Sequence, residues 1–374
     1  MKTIKTEIAV VGAGPAGLCA AIQAANAGAK VLLIDENHAP GGQLFKQIHK
    51  FFGSSEHRAG IRGFRIGDEL LGKLQESGNA EVYLDTIAYG FFGNNNTLGI
   101  AREGRAYAVE ADKYIFAAGA RENCLAFPGS TLPGVMGAGA AQTMLHMNRI
   151  QPGKRVLMIG SGNVGLIVSY QLMQAGVEVV ELIEAAPRIT GFGVHAGKIR
   201  RAGVPISVGT TVKRALGENE VTGAELVKLD DHFKPIAGTE RFVECDTICL
   251  AVGLSPMTEL AWMAGCEFAF IPPFGHVPLH DESMESTVPG IYVAGDITGS
   301  EEASTAMEEG NLAGISAAEA LGKISEQEAE KIKEQIHHRM DILRSGTFGE
   351  RRMSAKINQV KAYHEFVEKR GQKE

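Results

Sequence analysis

Two glycine-rich loops of one pattern, 148 positions apart, are where this sequence can do chemistry. The first reads Gly12-Ala13-Gly14-Pro15-Ala16-Gly17 and the second Gly160-Ser161-Gly162-Asn163-Val164-Gly165. Each follows an apolar strand-like run, 7–11 and 155–159, and precedes a helix-like run. Each unit ends in a second apolar strand closed by an acid, Asp35 in one and Glu184 in the other. In this pattern the first glycine permits a tight turn and the second lets a pyrophosphate approach the backbone. The third lets helix and strand pack closely. The helix N-terminus then offers N–H groups and a positive dipole to the phosphates. The acid stands where it accepts hydrogen bonds from a ribose. A chain with two such units holds two nucleotides, and the simplest reason to bring them face to face is to pass a hydride between them.

The first unit continues the pattern with small residues at Ala21 and Gly28 and an apolar Val31. Asp35 is followed by Glu36 and then by Pro40-Gly41-Gly42-Gln43, a Gly-Gly pair suited to backbone passing beside a flat ring. In the second unit, Glu184 favours a free ribose 2′-hydroxyl, hence NAD over NADP. Arg188, four residues on, stands within reach of a 2′-phosphate, so the choice stays open. Val252-Gly253 is expected to lie on the last strand of this unit.

The elements around these loops alternate between strand and helix, which implies an α/β fold with parallel sheets built as two Rossmann-like dinucleotide-binding domains. A helix is expected at 68–76. Short strands and turns, among them Asn94-Asn95-Asn96, fill 81–119 and end in a strand at 114–118. Residues 120–153 read as a connector of hinge-like composition, with Pro128-Gly129, Pro133-Gly134 and Pro152-Gly153. A late strand at 290–294 precedes an alanine-rich helix from Ala303. The last 50 or so residues are charged and helical, with Glu326, Glu330, Lys333 and Glu334 at helical spacing; they pack on the body or bind a partner.

Composition narrows the class. Hydrophobic content of 44% and charged content of 22% are those of an ordinary globular protein. A net charge of −7 argues against nucleic acid or an anionic membrane as a partner. The apolar start is broken by Gly12, Gly14, Pro15 and Gly17, unlike a signal peptide, and no run is long enough to span a bilayer. Cys19, Cys124, Cys245, Cys249 and Cys266 form no disulfide framework, so a reduced, cytoplasmic protein is expected. Cys245 and Cys249 lie along a strand ~13 Å apart, beyond disulfide reach, and read as core; Cys124 reads as structural. No metal cluster is evident. His337-His338 are neighbours on a helix and point apart, and no Ser-His-acid arrangement emerges. Hydride transfer needs none of these: stacking, orientation and exclusion of water suffice, and cofactors supply the chemistry.

The order of the first loop, Gly41-Gly42-Gln43, Ala117-Ala118-Gly119-Ala120 and the segment 290–296 resembles the two-dinucleotide-binding-domain flavoproteins, of which thioredoxin reductase is a member. The resemblance covers about residues 5–322. It implies an FAD-binding domain formed by 1–120 plus 254–322, interrupted by an NAD(P)-binding domain at 121–253, with a tail at 323–374. It implies that FAD is held by Gly12, Gly14, Pro15, Ala16, Gly17, Asp35, Glu36, Gly41, Gly42, Gln43, Ala117, Ala118 and Gly119. Asp296, beside Gly295, resembles the residue that bonds the ribityl chain. Ala303 resembles the residue whose backbone N–H faces the flavin pyrimidine carbonyl. The nicotinamide nucleotide falls to Gly160, Gly162, Asn163, Val164, Gly165, Glu184 and Gly253. The redox cysteine pair of the disulfide reductases is missing, which argues against that activity.

The connector 119–142 and the segment Ala303-Ser304-Thr305-Ala306-Met307-Glu308-Glu309-Gly310 are similar to the α-type subunits of proline, hydroxyproline and opine dehydrogenases, sarcosine oxidase and hydrogen cyanide synthase. That resemblance implies an oligomer in which electrons pass between NAD(H) and a second donor or acceptor. The partner is a β-type flavoprotein that oxidises the amino acid, or an electron carrier. Many relatives continue into a cysteine-rich iron–sulfur segment; here no cysteine follows Cys266. The cluster then sits on a separate iron–sulfur protein, or this branch does without one. Two alternatives remain: a stand-alone NAD(P)H reductase for a ferredoxin, flavodoxin or quinone, and a non-catalytic wiring subunit with a permanent nucleotide. A basic and aromatic stretch at 43–65 (Lys46, His49, Lys50, Phe51, Phe52, His57, Arg58, Arg62, Phe64, Arg65) starts beside the expected flavin. Its His49 is the one candidate catalytic side chain.

Overall fold

The computed structural model describes residues 2–51, 54–93 and 96–372. Phe52 of the basic stretch and Asn94-Asn95 of the expected turn lie outside the described residues. The chain forms two compact units, Met1–Arg121 with Ser255–Glu374, and Glu122–Leu254. The helices in chain order are α1 (Pro15–Asn26), α2 (Gly63–Glu76), α3 (Ala138–His146), α4 (Asn163–Gln174), α5 (Gly193–Arg201), α6 (Glu259–Met263), α7 (Ala303–Ala320), α8 (Glu326–Leu343) and α9 (Gly346–Gly371).

In the first unit the strand Lys2–Val11 lies between Val31–Ile34 and Arg105–Phe116, parallel to both. Ala80–Tyr83 extends the sheet beyond Val31–Ile34. On the other side, the long strand Arg105–Phe116 serves two neighbours: its start pairs antiparallel with Thr97–Arg102, and its end pairs parallel with Ile291–Val293. Strands buried on both faces need unbroken apolar runs, and Val31–Ile34 is buried at all four positions. α1 is alanine-rich on its buried side, and α7 approaches it so closely that a Cβ at Gly310 would lie 2.0 Å from the Ala16 carbonyl oxygen. A Cβ at Gly314 would lie 2.2 Å from that of Ala20.

The second unit repeats the plan. Its five-stranded sheet runs Ile206–Val208, Glu178–Glu184, Arg155–Ile159, Thr247–Leu250, Val135–Gly137, with every pairing parallel. An antiparallel sheet of Thr210–Leu216, Gly223–Lys228 and Arg241–Val243 packs beside it, sharing a core in which Val212, Ala224 and Leu226 meet Leu157, Ile183 and Ile248.

The structure corrects the sequence reading at several places. Residues 120–153 are not a plain connector: they supply a strand, Val135–Gly137, and α3 to the second sheet. The Pro-Gly pairs turn the chain into that strand, with Gly129 and Gly134 at φ 83° and 101°. α2 begins at Gly63, well before residue 68. Its glycines lower helix propensity, yet a Cβ at Gly67 would fall 2.9 Å from Gly41 Cα, so close packing requires one there. The strand expected to reach residue 118 stops at Phe116. The tail packs on the first unit: Ala329, Ile336 and Met340 of α8 join the core of α1 and α7, and Ala355 of α9 packs with Ile271, Phe274 and Val277. All five cysteines are free thiols; Cys124 is exposed rather than structural, and the other four are buried. His337 is half-buried and His338 exposed.

Among the described helices, none is long and apolar enough to cross a membrane.

Candidate functional site

The two glycine loops adopt nearly the same geometry. Gly12 and Gly160 stand at φ 103° and 104°, where a side chain is strained. A Cβ at either would lie 2.2 Å from a carbonyl oxygen, that of Ala117 in the first unit and Ala251 in the second. A Cβ at Gly17 would fall 1.7 Å from Gly12 O, and one at Gly165 would fall 2.1 Å from Gly160 O. These four glycines serve the fold. Gly14 and Gly162 differ: around an added Cβ at either, nothing beyond the adjoining backbone comes within 4 Å among the described residues. Each is the N-cap of its helix, and neither helix has a side-chain cap or an acid in its first turn. Open space over uncapped helical N–H groups is what a pyrophosphate requires. The residues therefore fit a dinucleotide at both loops.

The acids also match. Asp35 is 7% exposed. Its Oδ2 accepts the Ala13 N–H at 2.5 Å, and its Oδ1 accepts the Asn37 N–H at 2.7 Å. Glu184 Oε2 accepts the Ser161 N–H at 2.8 Å and the Ser161 hydroxyl at 2.6 Å, while its Oε1 accepts the Ala186 N–H at 2.9 Å. Each acid braces the middle of its loop, and a carboxylate oxygen with one donor keeps room for another. Glu36 and Arg188 are exposed. Asn163 Oδ1 accepts the Phe192 N–H at 2.9 Å, tying the second loop to the start of α5. Val164 is exposed, and Gly253 stands at φ 111° with an added Cβ 3.0 Å from Asn123 Nδ2.

Around the first loop the other sequence candidates converge. Gly41 donates its N–H to Ala13 O at 2.7 Å, and a Cβ at Gly42 would lie 2.9 Å from Gly14 Cα. Pro15 opens α1, Ala117 donates its N–H to Val11 O, and Gln43 is exposed. Ala118 and Gly119 follow the end of the strand. Gly295 joins them from the far end of the sequence, since its Cβ would meet Ala16 Cβ at 2.8 Å. Asp296 follows it in the turn Gly295–Thr298, and its Oδ1 accepts the Glu301 N–H at 3.3 Å. Burial pushes its carboxyl up to about 7 against that hydrogen bond. Ala303 begins α7, whose first turn has no side-chain cap.

Sequence reasoning missed the charges beneath this turn. Glu309 is 3% exposed. Its Oε2 accepts the Gly295 N–H at 2.9 Å and lies 3.0 Å from Thr298 Oγ1. Its Oε1 meets Arg344 at 2.5 Å and Lys356 at 2.9 Å. Burial alone would raise the Glu309 carboxyl; the two cations outweigh it and hold the group well below the usual carboxylate range. Glu308 binds Arg339 with both oxygens and His57 Nε2 at 3.0 Å, while Ser54 Oγ sits 3.1 Å from His57 Nδ1. This is a Ser–His–Glu line-up, but Ser54 caps a turn by accepting the His57 N–H, and Glu308 is neutralised by arginine. It ties the basic stretch to α7 and α8. The partners lie up to 251 residues apart, so no sequence spacing announces them. His49 is half-buried and stacks on Phe51 at 6.1 Å.

Known proteins resemble this chain in sequence and in fold. Residues 6–310 match the family described as pyridine nucleotide-disulphide oxidoreductase. An opine oxidase subunit of Agrobacterium tumefaciens (strain Ach5) is 29% identical over 86% of this chain and 67% of its own length. Its counterpart in the opine oxidase of Rhizobium meliloti (strain 1021) is 31% identical over 84% of this chain and 71% of its own. This chain thus spans about two thirds of the length of these relatives. The crystal structure of T. acidophilum thioredoxin reductase superposes with a TM-score of 0.69 at 23% identity, covering 85% of this chain and 99% of that one, a likeness of fold. The parallel strands at the heart of both sheets, the paired glycine loops and the family match agree: the chain belongs to the pyridine nucleotide-disulphide oxidoreductase family, and it is a flavoprotein oxidoreductase whose cysteines are all free thiols.

Proposed function

We propose that this chain binds FAD at its first loop and NAD(H), in preference to NADP(H), at its second. It exchanges electrons between NAD(H) and a second donor or acceptor. It does so as the α-type subunit of a complex that oxidises an amino acid or opine, partnered by a β-type flavoprotein. The carrying observation is the duplicated cradle: two uncapped helices, each with open space over its second glycine and an acid bracing its loop. The names of the relatives, which are oxidase subunits, support the partner.

Bound FAD would supply the hydride and one-electron chemistry. The chain's own work is to bind and orient. Gly12, Gly14 and the α1 N-terminus receive the pyrophosphate, Asp35 the adenosine ribose, and Asp296 the ribityl chain. Pro15, Ala16, Glu36, Gly41, Gly42, Gln43, Ala117, Ala118 and Gly119 line the same cradle, and the first turn of α7 at Ala303 turns its N–H groups toward developing negative charge. Glu184 favours a ribose with a free 2′-hydroxyl, and like-charge repulsion disfavours a 2′-phosphate. His49 is the side chain proposed to contact a substrate or partner.

Anaerobic titration of the purified protein with NADH and then NADPH, followed near 450 nm where oxidised flavins absorb, tests this reading. Stoichiometric bleaching by NADH supports electron exchange between the sites. A flavin that stays oxidised with both nucleotides overturns it.

A further inference from the structure

The C-terminal tail carries two cations that are out of water and point at one carboxylate. Lys356 on α9 is 5% exposed and Arg344, at the end of α8, is 9% exposed. Arg344 also meets Glu301 at 3.0 Å, and Lys356 donates to the Thr298 carbonyl at 3.1 Å and to Thr298 Oγ1 at 2.5 Å. Glu309 stands between these cations and the turn Gly295–Thr298: one of its oxygens receives both cations and the other receives the Gly295 N–H. Arg352 reaches Glu302, the N-cap of α7, at 3.3 Å, and Gln359 donates to the Pro278 carbonyl at 2.9 Å. The tail therefore grips both sides of the segment that carries Asp296 and opens α7.

Removing one partner from a buried ion pair leaves the other charge uncompensated, and the surroundings must move to solvate it. Here the group left unbalanced would be Glu309. What moves with it is the Gly295 N–H and the turn it fixes. Exposed tail pairs such as Lys361 with Glu365 have no such consequence.

We propose that Lys356 and Arg344 are positioning residues for the flavin site, acting through Glu309 on the turn that carries Asp296. The inference rests on the reading that the first unit binds FAD. The tail is then an intramolecular clamp on the cofactor cradle, and its cations are engaged within the chain.

The test uses the full-length protein stripped of flavin and titrated with FAD, with amide hydrogen exchange measured on the same samples. The variants are Lys356→Met, Arg344→Met and Lys356→Arg, with Lys361→Met as an exposed control on the same helix. The two methionine variants are expected to bind FAD about tenfold more weakly or worse. Exchange should rise over 291–303 and stay unchanged over the strand Thr97–Arg102. Lys356→Arg should restore affinity and the bound-flavin spectrum, and Lys361→Met should match wild type. Wild-type affinity in both methionine variants overturns the inference alone. Exchange rising equally across the Thr97–Arg102 strand also overturns it, since Lys356 would then support the whole fold rather than the turn. A wild-type protein that takes up no FAD overturns the cofactor reading and this inference together.

Discussion

Asp35 accepts the backbone N–H of Ala13 at 2.5 Å, and the second unit repeats the bond between Glu184 and Ser161 at 2.8 Å. The acid at the end of the second strand thus does two jobs. It fixes the glycine loop, and under the proposed function its remaining lone pairs serve a ribose. A loop fixed in advance loses less entropy on binding.

Asp35→Ala is therefore expected to cost stability as well as affinity. It leaves the Ala13 and Asn37 N–H groups without their acceptor, at about 1–3 kcal/mol for each buried donor left unpaired. Chemical denaturation of the flavin-free protein checks this. An unchanged midpoint would show that Asp35 does not brace the loop.

Two glycines three residues apart separate fold from function. A Cβ at Gly17 falls 1.7 Å from Gly12 O, so Gly17→Ala should unfold or displace the loop. Around a Cβ at Gly14 nothing described beyond the adjoining backbone lies within 4 Å, so Gly14→Ala should melt near wild type while losing flavin. Gly162→Ala should behave like Gly14→Ala toward NADH. Thermal melts read beside flavin content and NADH affinity decide it. A Gly14→Ala protein that keeps its flavin would mean no pyrophosphate lies over that position.

The sequence was most legible where chemistry constrains consecutive positions. Gly12, Gly14 and Gly17 are close in sequence because one turn and one helix start must do three things at once, and the same holds for Gly160, Gly162 and Gly165. The strand Val135–Gly137 and α3 were hidden because the Pro-Gly pairs before them read as a hinge, although those turns deliver the chain into a parallel sheet. The start of α2 was hidden by Gly63 and Gly67, whose poor propensity is offset by packing on Gln47 and Gly41. The Glu309–Arg344–Lys356 cluster was illegible for another reason. Its members come from three separate stretches of the chain, and in a charged tail nothing local distinguishes a cation bound for the interior from one in water.

Glu184→Ala should shift the nucleotide preference. Under the proposed function the change removes the negative charge at the 2′ position and keeps Arg188, four residues on, so the ratio of flavin bleaching rates with NADPH and NADH should rise about tenfold or more, equivalent to about 1.4 kcal/mol. The loop would also lose the acceptor of Ser161 and Ala186, so both nucleotides should bind more weakly. Stopped-flow reduction with each nucleotide checks it. An unchanged ratio would remove Glu184 as the discriminating residue.

His280 predicts how the flavin-free protein responds to acid. It is 3% exposed, its Nδ1 bonds the Asp281 carbonyl oxygen at 2.8 Å, and its Nε2 is buried without a hydrogen-bond partner among the described residues. Burial, reinforced by Lys356 and Arg344 and opposed by Glu309, lowers its pKa to about 4. An unfolded histidine titrates near 6.5. Between those values the unfolded chain binds the proton and the folded one does not, so stability is full above about 6.5 and falls as the pH drops toward about 4. The loss amounts to roughly 3 kcal/mol across that window. Asp296 acts in the opposite sense, because its raised carboxyl favours the folded state at low pH and loses that contribution as the pH rises through about 7. Comparison with His280→Asn, whose amide keeps a donor toward the Asp281 carbonyl, isolates the histidine. The variant's stability should fall less steeply from about pH 6.5 to about 4.5 in urea denaturation. Parallel curves for the two proteins would show that His280 is protonated inside the fold, and its buried Nε2 would then need a hydrogen-bond acceptor in the folded protein.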